Sequence, residues 1–407
     1  MTNERQKVGI IGGGPAGLIA AQRLRETTDC DVHVYEQKPS VGRKFLIAGR
    51  GGLNLTHSEN ITDFLKKYGD EEEFLTPFIN AFTPDDLREW AHKLGIETFV
   101  GSSGRVFPSQ MKSTALMRAW TKHLTEMGVH FHLHHSFVGF DEAGSPVIEN
   151  KDGDLAPINA DAVLFTTGGA SYPHLGATGE WAEALNSRHI ETTPFQAINC
   201  GFNVSWSHYL SDKFAGQPLK NIEISLDDET SHGDLIVTNY GLEGGTIYSI
   251  SRAINIALAT NNTATIYLDL KPNLSLDQIA LKLSQSRKKQ SLSNFLRKQL
   301  KLTALEIGLI HELCDKRDVQ DVGLLANKIK ALPIEIQSAR PIDRAISTMG
   351  GIKTSEFDEH LMLKKQPGWF AAGEMIDWDA PTGGYLLQAC FSTGVAAANG
   401  ITRWLHR

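Results

Sequence analysis

Cysteine is scarce in this chain: 407 residues contain only four, Cys30, Cys200, Cys314 and Cys390, and these form no C-x-x-C pair. That spacing argues against a disulfide scaffold or a cysteine zinc motif, and it predicts reduced thiols in a cytoplasmic protein. No uninterrupted apolar run reaches membrane-spanning length, so we expect no membrane segment. The opening residues are polar and lack an apolar signal core, so we also expect no removable signal peptide.

The chain also has fewer basic residues than acidic ones. The chain has 40 Lys and Arg against 47 Asp and Glu, which gives a formal net charge of −7. Nucleic-acid binding requires a basic footprint, so this balance argues against nucleic acid as the main partner. The stretch from Lys282 to Lys301 is a local exception, with seven basic residues and no acid. A solvated helix face is the favoured interpretation, and a docking face for an anionic partner is the alternative.

The main positive signal lies in the first forty residues. An apolar run, Val8 to Ile11, leads into Gly12, Gly14 and Gly17, and a helical pattern follows. Gly12 permits a tight turn, Gly14 lets the backbone approach a pyrophosphate, and Gly17 lets the helix pack closely on the strand. Pro15 and Ala16 open that helix, whose unpaired N–H groups would face the phosphates.

A second apolar run ends at Glu36 and Gln37. This is roughly twenty residues beyond Gly17, where a dinucleotide site has the acid that accepts hydrogen bonds from the ribose hydroxyls. A basic, glycine-rich loop follows from Gly42 to Thr56, and such a loop could wrap the ribityl and flavin end of an extended FAD. An NAD dehydrogenase has no obvious need for it, so FAD is the expected dinucleotide.

This loop, Gly42 to Thr56, resembles the bacterial FAD flavoproteins that include aminoacetone oxidase and the bile-acid-inducible reductases. The family pattern reads roughly G-R-K-x-L-x-S-G-x-G-R-C-N-x-T-N, and the chain keeps Gly42, Arg43, Lys44, Leu46, Gly49, Gly51, Asn54 and Thr56. It departs from the pattern with Ala48 for Ser, Gly52 for Arg, Leu53 for Cys and His57 for the final Asn. The resemblance implies FAD contacts at Arg43, Lys44, Asn54, Leu55 and Thr56.

Two later segments extend the resemblance. The strand and glycine turn from Asp161 to Gly169 are similar to the family's A-T-G-G turn, and Gly373 to Gln388 is similar to G-E-x-L-D-x-x-x-P-T-G-G-Y-x-L-Q. The backbone near Phe137 is expected to lie beside the adenine. Together these similarities imply cofactor contacts at Phe137, Thr167, Gly168, Gly169, Gly373, Glu374, Asp377, Gly383, Gly384, Tyr385 and Leu386.

The C-terminal motif also has a direct physical interpretation. Glu374, at the end of a predicted strand, can accept a hydrogen bond from a ribityl hydroxyl. The pair Gly383 and Gly384 at a helix start would direct N–H groups and a positive dipole at the flavin, which favours its reduced form.

No catalytic acid or base is assigned. Tyr172, His174, Asp379 and Tyr385 are neighbours of the flavin motifs and nothing more. Arg105 lies in a segment that resembles the family's G-R-x-F-P, and it is either a contact near the flavin or substrate or one half of a structural salt bridge.

A histidine-rich segment invites a metal hypothesis. Val129 to Val138 alternates as a strand should, which would place His130, His132 and His134 on one face. No carboxylate or cysteine within the strand completes a ligand set, so a half-exposed polar face is the favoured interpretation and no metal is predicted.

The predicted fold class is α/β. We expect a discontinuous, Rossmann-like FAD-binding domain with an inserted β-barrel-like domain and a small helical domain. The expected bounds are 1–190 and 346–407 for the FAD domain, 191–272 and 331–345 for the β domain, and 273–330 for the helical cap.

The predicted function is that of an FAD-dependent oxidoreductase with non-covalent FAD, which exchanges a hydride with a small organic substrate. The sequence contains no second strand–glycine turn–helix unit, so NAD(P)H would have to dock transiently. Alternatively the substrate reduces the flavin, and oxygen or another acceptor reoxidises it. The resemblance suggests small amines or enone reduction as substrate classes. A flavin-binding redox partner or sensor without turnover and an RNA-modifying flavoenzyme are the alternative functions.

Overall fold

The computed structural model describes residues 5–49 and 51–407. The expectation that the polar opening residues form no signal peptide concerns a segment that lies partly outside the described residues. The chain divides into two compact units. Unit 1 contains the chain up to Gln196 together with Ser347–Arg407, and unit 2 is Ala197–Ile346. The finer division of the insertion into a β domain and a helical cap stays a prediction.

The described residues form the following strands: β1 (Lys7–Ile11), β2 (Asp31–Glu36), β3 (Thr56–His57), β4 (Thr98–Val100), β5 (Arg105–Pro108), β6 (His130–Leu133), β7 (Ser136–Phe140), β8 (Pro146–Glu149), β9 (Leu155–Pro157), β10 (Ala162–Phe165), β11 (Thr192–Ile198), β12 (Phe202–Asn203), β13 (Gln217–Leu226), β14 (Glu229–Val237), β15 (Gly241–Glu243), β16 (Ala264–Asp269), β17 (Leu332–Ile336), β18 (Ser338–Ala339), β19 (Ser347–Ile352) and β20 (Trp369–Ala371).

The helices are α1 (Pro15–Thr27), α2 (Arg43–Ala48), α3 (Ile61–Leu65), α4 (Glu72–Ala81), α5 (Pro84–Lys93), α6 (Ser113–Glu126), α7 (Trp181–Asn186), α8 (His208–Phe214), α9 (Gly245–Ser249), α10 (Ser251–Asn261), α11 (Leu276–Leu283), α12 (Leu292–Leu300), α13 (Ala304–Leu313), α14 (Lys316–Gln320), α15 (Val322–Lys330) and α16 (Tyr385–Leu405). Short 3₁₀ segments cover Lys66–Glu71, Pro173–Leu175, Ile342–Arg344, Thr354–Glu356 and Gly373–Met375.

A five-stranded parallel sheet forms the centre of unit 1. Its strand order is β20-β10-β1-β2-β6, and every pair in it is parallel. The central strands β1 and β10 are almost wholly buried, as expected for a parallel sheet covered on both faces. This arrangement is a Rossmann-type α/β architecture, which confirms the predicted fold class.

The two ends of the chain meet in this sheet. β20, from the C-terminal segment, pairs with β10 in the register Val163↔Trp369 to Phe165↔Ala371. The C-terminal helix α16 packs closely on α1, since a Cβ at Gly394 would lie 2.5 Å from the carbonyl oxygen of Ala16. The domain is therefore discontinuous, with the insertion emerging between β11 and β19.

Unit 2 is built on a seven-stranded sheet. Its order is β17-β16-β13-β14-β15-β12-β18, and the strand pairs are antiparallel. Helices α11 to α15 occupy the stretch that the sequence predicts to be helical, and their apolar residues share one buried cluster with the sheet.

The predicted strand Val129–Val138 is wrong as a single element. β6 ends at Leu133 because the chain turns at His134, whose φ is 58°, and a separate strand, β7, begins at Ser136. His134 therefore does not continue the alternation of His130 and His132. Among the described residues, no helix is both long enough and apolar enough to cross a membrane.

Candidate functional site

The glycine turn after β1 forms one wall of a cleft in unit 1. Gly12 has φ 110°, and a Cβ there would collide with the backbone of Thr166, so only glycine fits. Gly14 is the N-cap of α1, and no side chain caps this helix end. The first turn of α1 also carries no acid. The free N–H groups at the start of α1 and the positive end of its dipole therefore face the cleft, as a phosphate site requires.

Glu36 closes the same end of the cleft. Its carboxylate accepts hydrogen bonds from the backbone N–H groups of Gly13 (3.0 Å) and Lys38 (2.9 Å). Burial raises the pKa of Glu36 above its ordinary value, although these two hydrogen bonds act in the opposite direction. The side chain is fixed at the end of β2, where an adenosine ribose would lie.

The opposite wall comes from the turn after β10. Thr167 donates from its backbone N–H and its hydroxyl to the sulfur of Met375, at 3.1 and 3.2 Å. The side-chain amide of Gln37 donates to the carbonyl of Gly176 at 2.7 Å. This second bond ties the end of β2 to the loop that closes the cleft.

A buried ion pair lies further along the cleft. The ammonium of Lys44 donates to Glu374 Oε2 and to the Ser171 hydroxyl, each at 2.7 Å. The other oxygen of Glu374 accepts from the backbone N–H of Thr348 at 3.1 Å. Glu374 is therefore a fixed acceptor, as the motif predicts, and its charge is compensated by a cation from the basic loop.

The start of α16 meets the loop residues 54–56. Gly384 is the N-cap of α16 with φ 98°, and a Cβ there would lie 2.6 Å from the Cα of Thr56. No side chain caps α16 and its first turn has no acid. Tyr385 donates to the carboxylate of Glu59, and its ring stacks on His57 at 5.4 Å. Burial and the neighbouring Glu59 raise the pKa of Tyr385.

The side-chain oxygen of Asn54 supports the assignment of a flavin to this region. It is buried and has no hydrogen-bond partner among the described residues. A buried acceptor without a donor costs free energy unless a ligand supplies the donor. Together with the uncapped starts of α1 and α16, this oxygen fits a large cofactor that carries both phosphates and an N–H group.

The predicted cofactor residues fall into two groups. The cleft is lined by Gly12, Gly14, Pro15, Ala16, Glu36, Gln37, Arg43, Lys44, Phe137, Thr167, Gly168, Gly373 and Glu374. The others lie outside this lining: Gly17 and Gly169 behind it, Asn54 and Leu55 just before β3, Thr56 in β3, Asp377 against Gly350, and Gly383, Gly384, Tyr385 and Leu386 at the start of α16.

Several lining residues were not in the predicted set. They include Gly13, Tyr35, Gly42, Phe45, His135, Thr166, Leu175, Gly176, Ala177, Ala372 and Cys390. Six of them adjoin a predicted residue, so a rule that extends each motif by one position would have found Gly13, Tyr35, Gly42, Phe45, Thr166 and Ala372. His135 and the run from Leu175 to Ala177 would have been missed by that rule. Cys390 also lies apart, on the second turn of α16. Burial raises its pKa to about 12, so the thiol stays protonated.

Tyr172, His174, Asp379 and Arg105, which lie near the flavin motifs in the sequence, differ in their surroundings. Tyr172 has φ 58° and its ring meets that of His174 edge-on at 5.8 Å. Asp379 is buried. Arg105 is exposed, and its guanidinium has no ion pair with a described residue, which removes support for the salt-bridge interpretation.

The histidines of β2 and β6 form a stack. His33 of β2 stacks between His130 and His132 of β6, at 4.9 and 5.2 Å, and His33 Nδ1 lies 2.9 Å from His132 Nε2. Tyr35 continues the stack on His132 at 4.7 Å and lines the cleft. No group of three or more potential ligands suited to a metal ion occurs within residues 5–49 and 51–407.

Comparison with known proteins matches residues 6–400 to the family model described as HI0933-like protein Rossmann domain. The chain is 24% identical to the 3-dehydro-bile acid delta(4,6)-reductase of Clostridium scindens, over 96% of this chain and 98% of the relative. It is 22% identical to the ribosomal RNA dihydrouridine synthase of Haemophilus influenzae, over 97% of this chain and 98% of the relative.

Among solved structures, the fold resembles the 3-ketosteroid delta1-dehydrogenase of Sterolibacterium denitrificans. The TM-score is 0.54 at 13% identity, and the match covers 98% of this chain and all of that chain. At this identity the likeness concerns the fold alone.

The buried pair generates a stability prediction. Lys44→Met leaves the Glu374 carboxylate without its cation, so we expect the free energy of unfolding of the cofactor-free protein to fall by about 2–3 kcal/mol. Adding Glu374→Gln should recover much of this loss in urea denaturation. The control is Lys93→Met, which removes an exposed partner of Glu89 and should change little. An equal loss in both single variants would contradict a special role for the buried pair.

The histidine stack generates a pH prediction. Burial lowers the pKa of His33 and of His132, and the charge of neighbouring imidazoles lowers both further. On His33, Asp31 has a smaller effect that raises the pKa, and Lys7 has a smaller effect that lowers it. The unfolded chain therefore binds these protons more tightly than the folded chain. Stability is at its full value above about pH 6.5 and is lost as the pH falls through the lowered folded pKa values.

His132→Gln should flatten this dependence, measured as the free energy of unfolding at several pH values between about 7 and about 5. The control is His134→Asn, which alters an exposed histidine beyond the end of β6 at a φ that asparagine tolerates. If His134→Asn flattens the profile as much as His132→Gln, the stack is not the source of the acid sensitivity.

Proposed function

The chain belongs to the HI0933-like family of Rossmann-domain flavin-dependent oxidoreductases, and from this premise we propose that it is an FAD-dependent reductase. Its proposed substrate is a small organic molecule with a carbon–carbon double bond conjugated to a carbonyl group. The proposed reaction adds a hydride and a proton across that double bond.

The names of the two curated relatives support this reaction class. One reduces a 3-dehydro-bile acid at its delta(4,6) positions, and the other produces dihydrouridine in ribosomal RNA. Both names describe saturation of a double bond in a ring that carries a carbonyl. This common chemistry favours reduction of an enone over oxidation of an amine.

The cleft carries the proposal. In one unit it combines an uncapped helix start at Gly14, a basic loop at Arg43 and Lys44, and a fixed acid at Glu36. These groups suit the diphosphate and the ribose of a dinucleotide. The unpartnered oxygen of Asn54 extends the match toward an N–H group of an isoalloxazine ring.

In this proposal, the residues of the chain bind the cofactor and set the charge around it. Bound FAD would supply the hydride chemistry. Lys44 is held by Glu374 and Ser171, so its ammonium keeps one position beside the cofactor instead of sampling many. The uncapped start of α16 adds a positive dipole in the same unit, and this dipole favours a cofactor that carries additional negative charge.

The electron donor is a separate part of the proposal. Unit 1 holds one five-stranded parallel sheet with one glycine turn at its first strand, and the remaining described sheets of three or more strands are antiparallel. We propose that NAD(P)H docks transiently, since the described residues offer no second site of the same kind.

The direct test uses the flavin-loaded protein under anaerobic conditions. After chemical reduction of the flavin, a steroid 4-en-3-one should restore the visible flavin absorption, and the saturated 3-ketone should appear by mass spectrometry. The matched control probe is that saturated ketone, which has no double bond to accept the hydride. If small amines bleach the oxidised flavin while no enone reoxidises the reduced form, the protein is an amine oxidase and the proposal is wrong.

RNA modification is the second candidate, and one observation favours it. The seven basic residues between Lys282 and Lys301 are all exposed, on the end of α11, on α12 and on the segments after them. Exposed basic residues with no acid among them along this stretch suit a phosphate backbone. The name of the dihydrouridine synthase relative specifies ribosomal RNA, which is a substrate that such a surface would bind.

Salt dependence tests the second candidate. A triple variant, Arg287→Gln, Lys288→Gln and Lys289→Gln, should weaken binding of an rRNA fragment and reduce the slope of log affinity against log salt by about 2. The control neutralises Lys66, Lys67 and Lys122, three exposed lysines of unit 1, and changes the net charge equally. Equal losses in both triples would indicate a nonspecific charge effect.

A further inference from the structure

The strand order of unit 1 sets the order of the groups along the cleft. Gly14 follows β1, Glu36 ends β2, and β6 lies beside β2 at the edge of the sheet. A ligand of a parallel α/β sheet lies outside the carboxyl ends of the strands. With a diphosphate at the end of β1 and a ribose at the end of β2, the base of the nucleotide would lie at the end of β6.

His135 lies at this end of the cleft. The chain turns at His134 after β6, and the backbone N–H of His135 then donates to the carbonyl of Glu36 at 3.0 Å. The backbone N–H of His134 donates to the carbonyl of Lys38 at 3.3 Å. These two hydrogen bonds attach the segment after β6 to the end of β2, and His135 lines the cleft together with Glu36.

The imidazole of His135 is held by three neighbours. Its Nδ1 lies 2.7 Å from the carbonyl oxygen of Leu133. The ring meets that of His132 edge-on, with the centroids 5.7 Å apart, and its centroid lies 6.2 Å from that of Tyr35. One hydrogen bond and two aromatic neighbours therefore restrict the orientation of this half-buried ring.

The hydrogen bond at Nδ1 also determines the tautomer of the neutral ring. A carbonyl oxygen can only accept a hydrogen bond, so Nδ1 carries the proton and Nε2 keeps a lone pair. No described residue donates a hydrogen bond to Nε2 of His135. The cleft lining therefore includes a preoriented acceptor, and a ligand that donates to it loses little affinity to side-chain ordering.

An acceptor at this position distinguishes the purine bases. Adenine carries an amino group at C6, which donates, whereas guanine carries a carbonyl oxygen there, which accepts. Two acceptors that face each other leave both without a donor, which costs free energy. Glu36 cannot make this distinction, because the ribose that it would bind is the same in both nucleosides.

We infer that His135 is a specificity-determining residue of the cofactor site, and that its Nε2 accepts a hydrogen bond from the 6-amino group of an adenine base. The inference rests on the FAD-binding part of the proposed function and involves neither the substrate nor the reaction. The backbone near Phe137, which was predicted to lie beside the adenine, also belongs to the cleft lining. His135 adds a side chain there, and the turn at His134 brings it to the end of β2.

The test compares ADP with inosine 5′-diphosphate, in which a carbonyl oxygen replaces the 6-amino group. Binding is measured by titration calorimetry on the full-length protein after removal of bound flavin, at about pH 8, where imidazole side chains are neutral. Uptake of FAD by the same preparation shows that it is folded. We expect the unaltered protein to bind ADP about tenfold more tightly than the inosine nucleotide.

His135→Phe keeps a ring in the cleft and removes the acceptor. It should reduce the preference for ADP to less than about twofold, mainly through weaker ADP binding. His135→Gln places an amide oxygen near the position of Nε2, so it should keep a preference of at least about threefold. The matched control is His134→Asn, which changes the adjacent, exposed histidine at a φ that asparagine tolerates. Both Kd values of this control should stay within about twofold of those of the unaltered protein.

Three results would overturn the inference. These are equal affinity of the unaltered protein for the two nucleotides, an undiminished preference for ADP in His135→Phe, and equal weakening of both nucleotides by His135→Phe. The last would mean that the ring supports the cleft without contacting the 6-amino group. If the unaltered protein takes up neither FAD nor ADP, the proposed function fails together with the inference. If the preference for ADP depends on His135 but no enone is reduced, the proposed reaction fails while the base contact stands.

Discussion

The cofactor cleft depends on one close backbone crossing at Gly12. The N–H of Gly12 donates to the carbonyl of Tyr35 at 2.8 Å, and its own carbonyl accepts from the Thr166 hydroxyl at 2.8 Å. The next residue, Gly13, uses its carbonyl to accept from Gly42 at 2.8 Å. The ends of β1, β2 and β10 and the start of the basic loop are therefore joined within two residues. A side chain at Gly12 would separate them, so this glycine organises the cleft.

Much of this arrangement could be predicted because its signals are local. Turn glycines, strand alternation and helix starts depend on neighbours along the chain, and they identified both ends of the FAD-binding unit. The pairing of Lys44 with Glu374 joins residues 330 positions apart, and no local pattern encodes it. The stacking of His33 between His130 and His132 likewise follows from the pairing of β2 with β6. The strand predicted from Val129 to Val138 was wrong because alternation does not show a turn at His134.

Charge in the cleft is distributed unevenly, and the distribution suits a diphosphate. Glu374 neutralises Lys44, and the carboxylate of Glu36 is held by two backbone N–H groups. Arg43 also lines the cleft and has no ion pair with a described residue. Its positive charge adds to the uncapped dipole of α1. Lys44 is therefore compensated by Glu374, whereas Arg43 and the start of α1 leave positive charge in the cleft that suits a dianionic group.

The departures from the family pattern at Gly52, Leu53 and His57 lie in the segment that leads into β3 and ends with it. Leu53 is fully buried and fills core space, whereas a Cβ at Gly52 would lie 2.9 Å from the Met111 methyl. His57 Nδ1 accepts from the Glu59 N–H at 3.2 Å, so its Nε2 carries the proton donated to the Ser103 carbonyl at 2.9 Å. His57 thereby ties β3 to the turn between β4 and β5. Asn54 and Thr56, which keep the family pattern, lie between Leu53 and His57 in the chain, so neighbouring positions vary while these two residues stay the same.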